Sequence, residues 1–508
     1  MTAADTARQA DAGADALALE TPEAGLPEQF YAPAEPTPVP APHVLHLNRP
    51  LAEHLGLDPA RLARPDGVAV LAGNRIPSSV RPVALAYAGH QFGAFAPRLG
   101  DGRAVLLGER VDRDGVRRDI QLKGAGRTPF SGMGDGRAEL FPVLGEYLAS
   151  EGMAGLGIPT TRSLAMLTTG ETVSRGEHHT GAVLTRVARS HVRVGTFEYF
   201  ARNGDPASVQ VLADHVIARH DPELRDSDRP YRDLLAAVAR RTGELIANWM
   251  LVGFVHGVLN TDNISVAGET LDYGPFAWMD AYHPSACFSA VDVYGRYAFD
   301  QQPRIGSWNL CRFAETLLPL LGAGADLEAA KTAAYDALAE YDSAFDRVWQ
   351  AGLRRKIGLA EETAQAGDTD LAGRLLTAMA EQGADFTLTF RRLAAVSGDD
   401  PAHDDPVRRL FADPEAFDVW ARDWRARLAR EGRDDAARRA AMCAVNPAYV
   451  LRKHHVYAVY KAVLDGDTGD LDRLWRVLRE PYADHPDMAA WAQPPAAAER
   501  VRWTFCGT

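Results

Sequence analysis

Cysteine is scarce: Cys287, Cys311, Cys443 and Cys506 are the only four in 508 residues. None stands at the paired spacing of a structural zinc site, and so few thiols exclude a disulfide-stapled scaffold. A reducing, cytoplasmic setting is expected. Long apolar runs are missing too. No uninterrupted stretch approaches the ~20 residues that a membrane helix needs. Positive charge is short, with Lys+Arg 55 against Asp+Glu 68 and a net charge of −13. That makes non-specific nucleic-acid binding a poor fit. The first residues lack both a basic start and an apolar core, so neither a secretory signal nor a transit peptide is expected. Residues 1–24, rich in Ala and Asp/Glu, read as a disordered tail. What is present is a soluble globular composition, 46% apolar and 24% charged, in a chain long enough for two lobes. A monomer is expected.

The chain is organised around His256-Gly257-Val258-Leu259-Asn260-Thr261-Asp262-Asn263, followed by Leu271-Asp272-Tyr273-Gly274. Apolar residues from Leu234 to Met250 recur at helical spacing and lead into it. Asn263 and Asp272 are hard oxygen donors at the ends of a short predicted strand pair. Magnesium takes one or two such protein ligands and completes its octahedron with water and phosphate. The spacing is that of a kinase catalytic loop followed by its Asp-Phe-Gly turn. Val258 fills the position of the usual proton acceptor, so the metal-holding half survives and the base does not. Asp262 is the nearby carboxylate that can replace it. The same residue types also make an ordinary helix-capping turn.

Upstream, the order of elements follows the same plan. Gly100-Asp101-Gly102-Arg103 precedes an apolar strand; such a turn admits close approach to phosphate, though Gly-Asp-Gly also closes ordinary hairpins. Residues 118–124 read as a strand carrying Lys123. Residues 137–153 read as a helix with Glu146 in its middle, placed to orient that lysine. Thr160 to Thr168 and Gly181 to Val187 read as a hairpin turning at Gly170. Arg186 and Arg193 follow, guanidiniums suited to phosphate oxygens. Residues 80–96 carry Tyr87, His90, Gln91 and Phe92 without a clear periodicity. A Pro-rich run, Pro33 to Pro42, should lie extended across a surface. After Asn203 helices dominate, broken only by an irregular segment from Ala281 to Gln302.

Taken together, Tyr87-Ala88-Gly89-His90-Gln91-Phe92-Gly93, Leu99 to Arg103, Gln121 to Pro129, Met133 to Arg137, Gly157 to Arg162, His256 to Asn263, Leu271 to Phe276 and Gly295 to Phe299 resemble the selenoprotein O family of protein adenylyltransferases. The resemblance implies an α+β, bilobal, protein-kinase-like fold. Residues 25–195 would form a mixed β/α N-lobe, and residues 196–508 a mainly helical C-lobe with a C-terminal extension. It implies transfer of AMP from ATP to hydroxyl side chains of other proteins and of the enzyme itself, with the nucleotide reversed relative to kinases. Gly100, Gly102, Arg103, Lys123, Asp135, Gly136, Arg186 and Arg193 would contact ATP. Asn263 and Asp272 would hold magnesium, with manganese as a substitute, and Asp272 would also face the nucleotide. Asp262 would accept the proton, and Glu146 would orient Lys123.

The sequence departs from that pattern at Gly132, Phe141 and Gly145, where the family carries arginines. The resemblance also implies a redox partner for Cys506 in the activation segment, and Cys287 stands about one position away from it. Two other readings fit the residues: a kinase that moves the γ-phosphate with Asp262 as a displaced base, and an inactive nucleotide-binding scaffold.

Overall fold

A computed structural model describes residues 17–21, 26–322, 326–501 and 504. The fold is mixed α/β, about half helical, with its antiparallel sheet in the first two hundred residues. The sheet strands are β1 (Tyr31–Pro33), β2 (His43–Leu47), β3 (Val83–Leu85), β6 (Ala104–Val111), β7 (Arg117–Lys123), β8 (Ala138–Glu139), β9 (Arg162–Ser174) and β10 (His178–Ala188). Their order is β1-β3-β6-β7-β10-β9-β2, with β8 also pairing β10. β4 (Gly89–Gln91) and β5 (Ala94–Ala96) form a separate small hairpin. The short helix α1 (Arg49–His54) is capped by Asn48, whose Oδ1 accepts the Leu51 amide at 3.2 Å.

Helix α2 (Leu140–Gly155) lies on β9 and β10. Leu140, Val143, Leu144, Tyr147 and Leu148 are all buried on its inner side, the packing that their spacing predicts. After β10 come α3 (Val194–Arg202), α4 (Pro206–His220) and the long α5 (Pro230–Leu251). α5 runs against α6 (Gln302–Leu321) and α7 (Leu327–Lys356). Further helices follow between Asp368 and Arg479, with Trp420 and Trp424 stacked in the core at 5.6 Å between ring centroids.

Several expectations shift. Leu17 and Leu19, inside the expected tail, are buried, and Glu20 pairs with Glu109 through backbone hydrogen bonds of 2.8 and 3.0 Å. The rest of that tail, residues 1–16 and 22–24, lies outside the described residues. Gly170 is not the hairpin turn. β9 runs through it to Ser174, and the turn falls at residues 175–177. Gly170 has φ +75° and sits where a Cβ would meet Ala41 at 2.6 Å, so glycine serves close approach of the Pro-rich run. The Gly100–Gly102 turn closes no hairpin, because β6 pairs with β3 and β7 and not with β5.

Candidate functional site

Strand register places the cations. Lys123 ends β7 opposite Leu184, and Gln121 stands opposite Arg186. Side chains alternate across a strand, so Lys123 and Arg186 share one face, and Glu146 of α2 lies beneath both. Lys123 Nζ donates to Glu146 Oε2 at 2.5 Å, and Arg186 Nε donates to Oε1 at 2.5 Å. A carboxylate saturated from both sides keeps its charge: burial pushes Glu146 up, but Arg186 and Lys123 outweigh it and hold the carboxyl below its usual range. Arg103 is half-buried nearby, and its charge acts on Lys123.

The second half comes from the far side of α5. This helix ends at Leu251, and β11 (Phe254–Val255) pairs antiparallel with β12 (Ala277–Trp278). A single bridge, Ile264 to Thr270, closes the loop between them. Asn263 therefore precedes one side of this bridge and Asp272 follows the other. His256 is buried and its Nε2 donates to the Leu271 carbonyl at 2.9 Å, fixing the turn that carries Asp272. Asp272 itself has φ +60°, a strained setting for a non-glycine residue and typical of functional turns.

Both Asp272 oxygens are taken by guanidiniums. Arg186 Nη2 bonds Oδ1, and Arg193 Nη1 donates to Oδ2 at 2.5 Å. Lys123 Nζ stands 3.9 Å from Oδ1. Burial raises the Asp272 carboxyl, yet Arg186, Arg193 and Lys123 hold it well below its usual range. Arg193 also donates to the Asp262 carbonyl at 2.7 Å and lies over the Tyr87 ring at 4.5 Å. Lys123, Glu146, Arg186, Arg193 and Asp272 thus form one bonded clamp, to which Asp262 is joined through its backbone.

The Asp262 carboxylate faces the small hairpin. Gln91 Nε2 donates to Oδ2 at 3.2 Å, while Oδ1 is buried without a hydrogen-bond partner. Burial pushes this carboxyl up to about 6. Asn263 donates from Nδ2 to the Val258 carbonyl at 2.8 Å.

The Gly100–Gly102 turn is packed under the loop of residues 126–136. Gly100 has φ +72°, and a Cβ there would meet the Phe130 ring at 2.3 Å. Thr128 Oγ1 donates to the Asp101 carbonyl at 2.6 Å. Gly136, at φ +71°, would meet the Gly126 carbonyl oxygen at 2.0 Å if it carried a Cβ. Asp135 is exposed and bonded to Arg175 at 2.7 Å. The bonded clamp does not include it.

Other residues of this region carried no role in the sequence reading. Asp101 is buried, accepts the Leu85 amide at 3.2 Å and Gln121 Nε2 at 3.1 Å, and lies 3.8 Å from Arg193. Asn260 accepts the Phe92 amide at 3.2 Å and the Tyr297 hydroxyl. His90 and Thr261 share Glu198, each at 2.5 Å. The signal was the density of polar residues in Tyr87 to Gly93, where no periodicity explains a buried His90 and a half-buried Gln91.

Cys287 is unpaired, its thiol 3.4 Å from Asp292 Oδ2, and burial pushes it up to about 11. Cys506 lies outside the described residues. Among the described residues no helix is long and apolar enough to cross a membrane, and no cluster of three or more His, Cys, Asp or Glu is disposed around a metal position.

Known proteins agree with the class of chemistry that a cationic clamp beside buried carboxylates suits. Proteins described as protein nucleotidyltransferase YdiU are similar over nearly the whole chain. That of Bradyrhizobium diazoefficiens is 57% identical over 484 residues, covering 95% of this chain and 97% of its own. That of Alkalilimnicola ehrlichii is 57% identical over 486 residues, covering 96% and 97%. The chain is a nucleotidyltransferase. The family described as Protein adenylyltransferase SelO matches residues 16–479, and the chain belongs to that family. ATP is the substrate that the family implies.

Proposed function

We propose that the enzyme transfers AMP from ATP to Ser, Thr or Tyr hydroxyls of proteins, its own included. Residues 25–195 act as a kinase-like N-lobe and residues 196–508 as the helical C-lobe, closing over the nucleotide in the cytoplasm. The observation that carries this reading is the clamp, in which Lys123, Arg186 and Arg193 converge on Glu146 and Asp272 beside the buried carboxylate of Asp262.

Three cations held by carboxylates at one point suit a triphosphate. Phosphoryl-type transfer is mainly positioning and charge stabilisation. Lys123, oriented by Glu146, and Arg103, Arg186 and Arg193 would hold phosphate oxygens and offset charge that builds on the leaving pyrophosphate. Gly100, Gly102 and Gly136, packed against Phe130 and Gly126, would offer backbone amides to the nucleotide, and Asp135 would join them. The acceptor hydroxyl oxygen bonds to the α-phosphorus as the bond from that phosphorus to the bridging oxygen of pyrophosphate breaks. Asp262 takes the hydroxyl proton; its unpartnered Oδ1 is the atom free to do so.

The amide oxygen of Asn263 and the carboxylate of Asp272 are hard donors that fit magnesium or manganese, and the guanidiniums on Asp272 already mark a position that prefers positive charge. Such an ion neutralises phosphate charge. ATP labelled separately at the α- and γ-phosphates tests the reading. Label should enter protein from the α position only. Transfer from γ alone would make the enzyme a kinase, and no transfer from either would leave a scaffold.

A further inference from the structure

Away from the clamp, a cavity of about 380 Å³ opens between the outer ends of β6 and β7 and the last turn of α4, and it shares no residue with the clamp. Glu109, Arg117, Arg189, His215, Arg219 and His220 line it. Its volume is in the range of small-ligand sites. Its carboxylate is already committed: Glu109 binds Arg117 at 3.0 Å and Arg219 at 2.8 Å. Arg219 also reaches Asp119, which His191 holds from the other side at 3.0 Å. Arg189 differs. Its amide donates to Glu269 at 2.8 Å and its carbonyl accepts Arg219 Nε at 2.9 Å. Its half-buried guanidinium makes neither a hydrogen bond nor an ion pair among the described residues. Next to it, His220 Nε2 is buried without a hydrogen-bond partner. Native structures rarely leave a buried ring nitrogen unmatched without reason.

We propose that this cavity is a second ligand site, binding a phosphate-class oxyanion, free or borne on a nucleotide, through Arg189, Arg117 and His220. Three guanidiniums line the space with one lining carboxylate, Arg117 also pairing with Glu20 at 2.6 Å, and the open guanidinium of Arg189 matches phosphate oxygens in pairs. The field agrees: besides burial, Arg241, Arg219 and Arg189 push the His220 imidazole down to about 2. It therefore stays neutral and can donate one hydrogen bond to an anion. Bound there, the oxyanion would join the sheet, through Arg117, to α4 through His220. Arg189 lies between Arg186 and Arg193 along the chain, so it would also engage the segment that carries both clamp arginines.

The test fills the clamp first. Full-length protein saturated with magnesium and an ATP analogue whose α–β bridge cannot be cleaved is titrated calorimetrically with inorganic pyrophosphate, and separately with AMP. One saturable event is expected, weakened at least tenfold in Arg189→Glu and largely kept in Arg189→Lys, with melting temperatures of both variants near that of the parent. Tighter binding of pyrophosphate than of AMP would identify a free anion, and the reverse a nucleotide. Crystals soaked in tungstate should show anomalous density beside Arg189. No saturable event, equal affinity in Arg189→Glu, or tungstate found only at the clamp would overturn the proposal. Arg189 belongs to neither the clamp nor the metal turn, so this outcome is independent of whether AMP transfer is demonstrated.

Discussion

Asp262 has one oxygen held by Gln91 and the other buried with no partner, a costly arrangement unless the oxygen meets something during the reaction. Asp262→Asn keeps the shape and the Gln91 contact but removes the proposed proton acceptor. Transfer should fall by about 10²-fold or more while binding of an ATP analogue is kept, measured by single-turnover labelling and calorimetry. Glu269 offers a residue-scale test of stability. Burial pushes its carboxyl up to about 7 from the ordinary glutamate value of 4.5, against the pull of the Arg189 amide, Arg118, Arg189 and His191. The folded chain therefore keeps a proton that the unfolded chain releases. Stability is lost as pH rises from about 4.5 to 7, by roughly 2–3 kcal/mol at the upper end. Glu269→Gln removes that loss, so it should be more stable than the parent at pH 8.5 and lose its advantage towards pH 4.5 in denaturant titrations. An unchanged difference across that range would refute the assignment.

At the scale of elements, the site depends on α3 docking against the small hairpin. A Cβ on Gly195 would meet the Ala88 carbonyl oxygen at 2.2 Å and the Asp262 Cα at 3.2 Å. Gly195→Ala should push the hairpin off the loop, lowering transfer at least tenfold with a melting-temperature change smaller than a core truncation gives. Helices and the lysine strand were legible in sequence because each carries its own period. Leu140 to Leu148 repeat at helical spacing around Glu146, and Leu234 to Met250 do the same before the loop. The hairpin was not legible, because its polar contacts come from far along the chain: His90 from Thr261, and Phe92 from Asn260 and Tyr297. Gly170 misled for a related reason. Its glycine answers the approach of Ala41, a contact that no local window contains. Asp101 likewise reads as a turn residue until the fold brings Arg193 to 3.8 Å from it.

For the molecule as a whole, the arginines on Asp272 would, on the proposed site, make metal and nucleotide mutually dependent. With Arg186 and Arg193 on both Asp272 oxygens, their positive charge would disfavour magnesium there until phosphate oxygens drew the guanidiniums away. Magnesium alone should therefore give no saturable heat in calorimetry. Magnesium with the ATP analogue should bind tightly and raise the melting temperature, by an amount equivalent to about 2.7 kcal/mol at a hundredfold excess over Kd. Chelation should abolish transfer, and tight binding of magnesium alone would contradict the lock. Near the other end of the chain, Thr504 donates to the Pro275 and Phe288 carbonyls at 2.9 and 3.0 Å, the latter pair 216 residues apart. A ribosome making this protein finishes the segment after Asp272 long before Thr504 appears, so the nascent chain emerges with that segment not yet fastened.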